Sequence, residues 1–353
     1  MDKIIISTSE NIKSEIFIED DLRNTFQEYL EDKKYFLITN TKLAKLYPGF
    51  IYKFNKNRVI IIKDGEKYKN IKTFEYIINK LLEQKIERKD SIIAFGGGVV
   101  GDLAGYVASS VLRGVELIQM PTTLLAMCDS AIGGKTGFNS KYGKNLIGSF
   151  YCANKILIDP QLLNTLNIYQ FKCGLGEVLK YAFIEKSCNK FSEFNLIDFL
   201  KENQKEDLKN QLKFIIKACV SLKANVVTND RLEGDLRKIL NFGHTYAHPF
   251  EALSNYKGLS HGEAVAHGIK YASKLAMIKG IINEDYYNQI VLLLKKYELI
   301  NKKLKFKKEE VVKLMMHDKK VENSKINLLL PIAPSEVALF DNIDSPSIEA
   351  SLL

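Results

Sequence analysis

The sequence predicts an α/β N-terminal domain with a mostly parallel, Rossmann-like sheet over residues 1–167, followed by an all-α C-terminal domain over 168–353. Three observations carry this. Up to about residue 166, short β-branched runs alternate with segments of helix length, which is βα repetition. Beyond about residue 168 such runs nearly vanish, and 3.6-residue periodicity takes over. The 353 residues also suit two domains at about 100–200 residues each.

The strands are read at Tyr35–Thr39, Val59–Ile62, Ser91–Phe95, Glu116–Met120 and Ile156–Ile158. Between them, Thr73–Leu82 sets Phe74, Ile77, Ile78, Leu81 and Leu82 at helical spacing, a stripe that packs on the sheet and carries no chemistry. The second half is read as helices at Phe171–Ile184, Leu208–Val227, Leu236–Leu253 and His261–Ile278. No linker rich in Pro, Gly or Ser separates the halves.

At 46% hydrophobic, 26% charged and 10% aromatic residues, the composition is that of a globular protein and excludes a disordered or collagen-like chain. The net charge of +9 is spread along the chain, with no basic block interleaved with aromatics, so no nucleic-acid partner is expected. Cys128, Cys152, Cys173, Cys188 and Cys219 are odd in number and never form C-x-x-C, which argues against a disulfide framework or a thiolate zinc site. MDKIIIS is too short an apolar run for a signal peptide, and Ile92–Leu112 is interrupted by Asp102 and glycines, so a cytoplasmic protein without a membrane segment is expected.

Glycines at GxGxxG positions follow the Ser91–Phe95 strand in Gly96-Gly97-Gly98-Val99-Val100-Gly101-Asp102. There the backbone can approach a pyrophosphate at a helix N-terminus, although a tight strand-to-helix turn gives the same pattern. The acidic residue of a standard Rossmann site is not cleanly present, Glu116 lying too close. Asp64-Gly65-Glu66-Lys67-Tyr68-Lys69 follows the Val59–Ile62 strand, where open α/β sheets bind ligands; a charged turn is the plainer reading. Gly133-Gly134-Lys135-Thr136 lacks the first glycine of a P-loop, since Asp129 stands there. What remains is a cationic loop with Lys135, Lys141 and Lys144, and with Arg113 upstream, suited to an anion.

Four of the five histidines, His244, His248, His261 and His267, fall within 24 residues. On one continuous helix from Leu236, the residues Arg237, Asn241, His244 and His248 would share a face. That face is either solvated or the wall of a cleft supplying a metal ligand and anion contacts, and the cleft is favoured. Its H-x-x-x-H lacks the adjacent glutamate of a metalloprotease. Glu177, with Lys180 and Tyr181 at i+3 and i+4, could add an oxygen ligand.

These blocks, together with Leu112-Arg113-Gly114, Pro121-Thr122-Thr123-Leu124-Leu125-Ala126, Asp129-Ser130, Gly143-Lys144-Asn145, Glu177-Val178-Leu179-Lys180, Leu240-Asn241-Phe242-Gly243-His244-Thr245 and His261-Gly262-Glu263, resemble the 3-dehydroquinate synthase family from about 64 to 320. The resemblance implies conversion of 3-deoxy-D-arabino-heptulosonate 7-phosphate, a small phosphorylated sugar acid, into 3-dehydroquinate and phosphate in the shikimate pathway. It further implies NAD, a divalent metal (zinc or cobalt) and a homodimer.

Carried over by position, the resemblance implies Glu177, His244 and His261 as metal ligands. It implies Lys135, Asn145, Lys180, His248, Arg113, Lys223, Arg237, Asn241 and Lys319 as substrate contacts, with Asp129 close to nicotinamide and substrate. NAD contacts would be Asp64, Gly65, Glu66, Lys67, Tyr68, Lys69, Gly98, Val99, Val100, Gly101, Asp102, Thr122, Thr123, Lys135, Lys144, Leu162, Leu163, Asn164 and Thr165. The cage cations are expected to bind substrate more than to hold the fold. The chain departs from the family at Asn167, where proline is usual, and at Gln170, commonly acidic; Pro249 follows His248 directly. The alternatives are another sugar-phosphate cyclase such as 2-deoxy-scyllo-inosose synthase, or a metal-dependent polyol dehydrogenase. Arg113, Lys223 and Lys319-Lys320 favour a substrate with a carboxylate.

Overall fold

The computed structural model describes residues 1–8, 13–204, 207–254, 258–317, 321–322 and 325–352. The chain folds as two compact units, residues 1–166 with 227–231, and 167–226 with 232–353.

The first unit is built on a seven-stranded sheet of β1 (Asp2–Ser7), β2 (Lys13–Ile18), β3 (Tyr35–Asn40), β4 (Val59–Ile62), β5 (Ser91–Gly96), β6 (Glu116–Pro121) and β9 (Lys155–Ile158). The order is β1-β2-β9-β6-β5-β3-β4, and every pairing is parallel except β1 with β2. A parallel strand covered on both faces must be apolar throughout, and β5 is buried at every position. Helix Ile71–Glu83 starts where the Asn70 side chain accepts from the Thr73 amide, and it buries Ile77 and Leu81. Leu82, expected in that stripe, is exposed, while Phe74 packs on Tyr106 and Phe138.

Helix Gly98–Ser110 leaves the C-terminal end of β5 through Gly97. The segment read as a cationic loop is instead an antiparallel hairpin of β7 (Lys135–Ser140) and β8 (Gly143–Phe150). It lies on that helix where Gly105 leaves room for Thr136, since a Cβ at Gly105 would come within 2.4 Å of the Thr136 methyl.

The second unit is mainly helical, as expected, but not wholly so. Its helices include Ile168–Cys188, Leu212–Asn229, His244–Leu253, His261–Ile278, Glu284–Lys296 and Lys308–His317. A three-stranded antiparallel sheet of β10 (Val321–Glu322), β11 (Lys325–Ala333) and β12 (Glu336–Ile343) interrupts the all-α expectation. Leu-rich β11 pairs through Leu328, Leu329 and Leu330, a stretch whose residue types suit a helix better than a strand, in a hairpin with β12 that turns at residues 334–335. Asn167, the departure from the family pattern, has a local role: its side chain accepts from the Gln170 amide and caps the first helix. Among the described residues no helix is long and apolar enough to cross a membrane.

Candidate functional site

In the first unit, the segments 64–69, 98–102, 122–123 and 162–165 follow the C-terminal ends of β4, β5, β6 and β9. Because these strands are parallel, the four segments share one edge of the sheet, the edge at which open α/β sheets take ligands. Gly98 opens the helix beside Ser130, whose Oγ would lie 3.2 Å from a Cβ at that position. Lys69, 4% exposed, draws the edge together: its Nζ lies 2.5 Å from Asp102 Oδ2 and 2.5 Å from Asn145 Oδ1. Asn139 continues the network, donating to Glu66 Oε1 at 2.7 Å and accepting from the Asn145 amide at 3.0 Å. The Asn40 side chain donates to Asp64 at 3.0 Å. Leu162 and Leu163 are buried, so their side chains belong to the core and only their backbone could meet a ligand.

Among the other expected residues of this unit, Arg113 lies apart from that edge, whereas Asn145 is tied to it through Lys69. Arg113, exposed and left-handed at φ 66°, comes three residues before β6 begins, at the end of the sheet where strands enter. Arg88, just ahead of β5, donates to the carbonyl of neighbouring Leu112 and marks the same end. Lys135 is exposed at the open end of the hairpin, opposite Phe150, whereas Asn145 sits near its turn, about four residues or roughly 13 Å along. Asp129 lies on a widened helical turn, Ala126–Ser130, of the π type that recurs at functional sites.

In the second unit three helices converge. Helix Ile168–Cys188 carries Glu177 and Lys180, while His244 and His261 are each the first residue of their own helix. Ser260 caps the His261 helix reciprocally with Glu263, which fixes where that helix begins. Glu177 Oε1 lies 3.2 Å from His261 Nε2 and 3.5 Å from His244 Nε2, and Lys180 Nζ is 2.5 Å from Glu177 Oε2. One ligand atom from each of Glu177, His244 and His261 falls within 4.8 Å of the others. A carboxylate and two imidazoles at that spacing fit a catalytic zinc or cobalt site with coordination positions left for substrate.

The single helix expected over Leu236–Leu253 is two elements. A 3-10 turn, Leu236–Asn241, gives way at Gly243, with φ 80°, to helix His244–Leu253. The face expected to align Arg237 and Asn241 with His244 and His248 therefore does not exist, since Gly243 resets the helical phase between the pairs. Pro249 lies within the second helix, which continues past it to Leu253. Gly243 also packs its carbonyl against Gly268, where a Cβ would come within 1.9 Å. Arg237, Lys180 and Lys223 are buried, His248 is exposed, and Asn241 donates to Glu233 at 2.7 Å. Lys319 lies outside the described residues.

The two clustered imidazoles are pushed in opposite directions. Burial drives His244 down to about 3 against the charge of Glu177. Burial also opposes charge on His261, but hydrogen bonds to Glu177 and to Glu251 outweigh it and hold that ring well above the ordinary histidine range. Glu251 was missed in the sequence. It lies seven residues after His244 on the same helix, so the 244, 248, 251 spacing was the signal available.

A family model described as 3-dehydroquinate synthase N-terminal matches residues 59–173, and one described as 3-dehydroquinate synthase C-terminal matches 174–321. The 3-dehydroquinate synthase of Prochlorococcus marinus strain AS9601 is 37% identical over 343 residues, covering 94% of this chain and 93% of its own. That of Campylobacter hominis is 38% identical over 319 residues, 90% of each chain. Among solved structures, 2-deoxy-scyllo-inosose synthase complexed with carbaglucose-6-phosphate, NAD+ and Co2+ superposes with a TM-score of 0.87 at 24% identity, covering 99% of this chain and 98% of that one, a likeness of fold.

Proposed function

The chain belongs to the 3-dehydroquinate synthase family, and from that premise we propose that it converts 3-deoxy-D-arabino-heptulosonate 7-phosphate into 3-dehydroquinate and inorganic phosphate, with NAD and a divalent metal. The observation that carries the reading is the convergence of Glu177, His244 and His261 within 4.8 Å. When bound, NAD supplies reversible hydride transfer and the metal supplies polarisation of a substrate hydroxyl.

This chain's own groups bind and orient. Glu177, His244 and His261 would hold the metal, with Lys180 keeping the Glu177 carboxylate in place from 2.5 Å. Residues 64–69, 98–102, 122–123 and 162–165, with Lys135 and Lys144, are assigned to NAD; the helix start at Gly98 offers amide donors to a pyrophosphate. Lys180, Lys223, Arg237, Asn241 and His248 of the second unit are assigned to the substrate, together with Lys135, Asn145, Arg113 and Asp129 of the first. Lys319 keeps the same assignment by sequence position. The buried cations act at reduced dielectric, where a charge-assisted hydrogen bond to phosphate or carboxylate is stronger than in water. The reading carries a cytoplasmic homodimer with it; the compartment is supported by five cysteines present as thiols.

Phosphate release from the heptulosonate phosphate, followed with and without chelator while the reduced-nicotinamide band is monitored, tests this. Release that depends on metal, with no accumulation of NADH, is expected, because substrate and product stand at the same oxidation level. NADH rising in step with substrate loss would identify a dehydrogenase instead. Turnover only of a hexose 6-phosphate, of the kind carbaglucose-6-phosphate imitates, would identify a different cyclase.

A further inference from the structure

We propose that Glu251 is a positioning residue that fixes the tautomer and orientation of His261, so that the Nε2 lone pair of that ring points at the metal. The inference rests on the reading of Glu177, His244 and His261 as ligands. A neutral imidazole has one N–H and one bare nitrogen, and only the bare one can coordinate a cation.

His261 is held between two carboxylates from different helices: Nε2 faces Glu177 Oε1 at 3.2 Å, and Nδ1 faces Glu251 Oε2 at 3.4 Å. Glu251 is 7% exposed, so its charge is poorly screened by solvent. A proton on Nδ1 directed at Glu251 leaves Nε2 bare on the side where His244 Nε2 also arrives, 3.5 Å from the same Glu177 oxygen. His244 has the corresponding device in backbone form, with its Nδ1 3.3 Å from the Phe242 carbonyl. Both rings are thereby set in one tautomer. The carboxylate partner additionally raises the basicity of His261 as a ligand, the arrangement of carboxylate–histidine–metal sites.

The test uses the full chain stripped of metal and titrated with cobalt(II) against a chromophoric chelator, with the cobalt absorption band as a second readout. Glu251→Ala should weaken cobalt affinity about 10- to 100-fold. Glu251→Gln, whose amide oxygen still accepts from Nδ1 but carries no charge, should fall between Ala and the parent, with the melting temperature of the metal-free protein unchanged. In a His261→Ala background, Glu251→Ala should cost nothing further. If Glu251→Ala does not fold, the isosteric Glu251→Gln decides. Parent affinity and an unshifted cobalt band in Glu251→Gln overturn the proposal, as does a loss that simply adds to that of His261→Ala, since Glu251 would then act elsewhere. A parent chain that takes up no cobalt overturns the ligand assignment itself, and this role with it.

Discussion

A Cβ built on Gly176 would stand 2.3 Å from the carbonyl oxygen of Gly262, so the two helices meet backbone to backbone one residue from both Glu177 and His261. The reciprocal relation holds too, a Cβ on Gly262 falling 2.2 Å from the Cys173 carbonyl oxygen. This contact brings an acidic side chain and an imidazole from separate helices to 3.2 Å. Gly176→Ala should therefore separate them. Alanine gains about 1 kcal/mol of helix propensity, but overpacking against backbone that cannot swing aside costs about 1–3 kcal/mol. A lower melting temperature and at least tenfold weaker cobalt binding are expected from thermal unfolding and metal titration. Unchanged binding would show that the spacing of these helices does not set the site.

Metal content should depend on Glu177, His244 and His261 together. Alanine at either histidine, or glutamine at Glu177, should leave the purified chain with little metal after dialysis, as measured by atomic emission. His248→Ala should retain it, because that side chain is exposed and its ring centroid lies 5.7 Å from that of His244. Retention in His261→Ala with loss in His248→Ala would mean the wrong histidine has been placed in the cluster.

How much of this was legible in the sequence depended on whether a pattern is local. The strands β3, β4, β5, β6 and β9 announce themselves as β-branched runs, and each lies within a residue or so of where the sequence puts it. The histidine cluster was also visible, since four of five histidines in 24 residues is a compositional signal. The break at Gly243 was not. A lone glycine in a helical pattern is tolerated, and only its packing against Gly268 shows why it turns left-handed there. The hairpin of β7 and β8 was hidden by its lysines and glycines. The β11–β12 hairpin was hidden because a Leu-rich run suits a helix by residue type, and only its cross-strand partners make it a strand.

Acid should weaken the second unit through His267. Burial, then the nearby Lys270 charge, pushes this ring from the ordinary 6.5 to about 4. The folded state thus stays neutral where the unfolded chain takes up a proton, so stability falls as pH drops from about 6.5 to about 4 and this contribution levels off below. The loss attributable to one such ring is up to about 3 kcal/mol. His267→Leu should flatten that part of the curve when urea midpoints of metal-free protein are compared across this range. A slope identical to the parent's would mean the ring titrates normally in the fold.

Arg237 is 1% exposed, the largest fully buried side chain among the described residues, which gives it a part in the fold beside the substrate contact its sequence context suggests. As a cleft cation that binds substrate more than it holds the fold, it would be dispensable to folding, with Arg237→Ala leaving the melting temperature alone. It sits instead on the 3-10 turn Leu236–Asn241, ahead of the Gly243 break, with its guanidinium removed from solvent. A buried charge persists only where its surroundings compensate it, so excising the guanidinium strands the groups that did so and leaves a cavity. Arg237→Ala should cost about 3–5 kcal/mol of stability in metal-free protein. Arg237→Lys keeps the charge but not the planar fork of donors, and should recover part of that loss. If the same guanidinium also meets the substrate, Arg237→Lys should still lower turnover by tenfold or more under conditions where it remains folded. An alanine variant that melts like the parent while turnover collapses would assign Arg237 to the ligand alone, and its burial would then play no part in holding the fold.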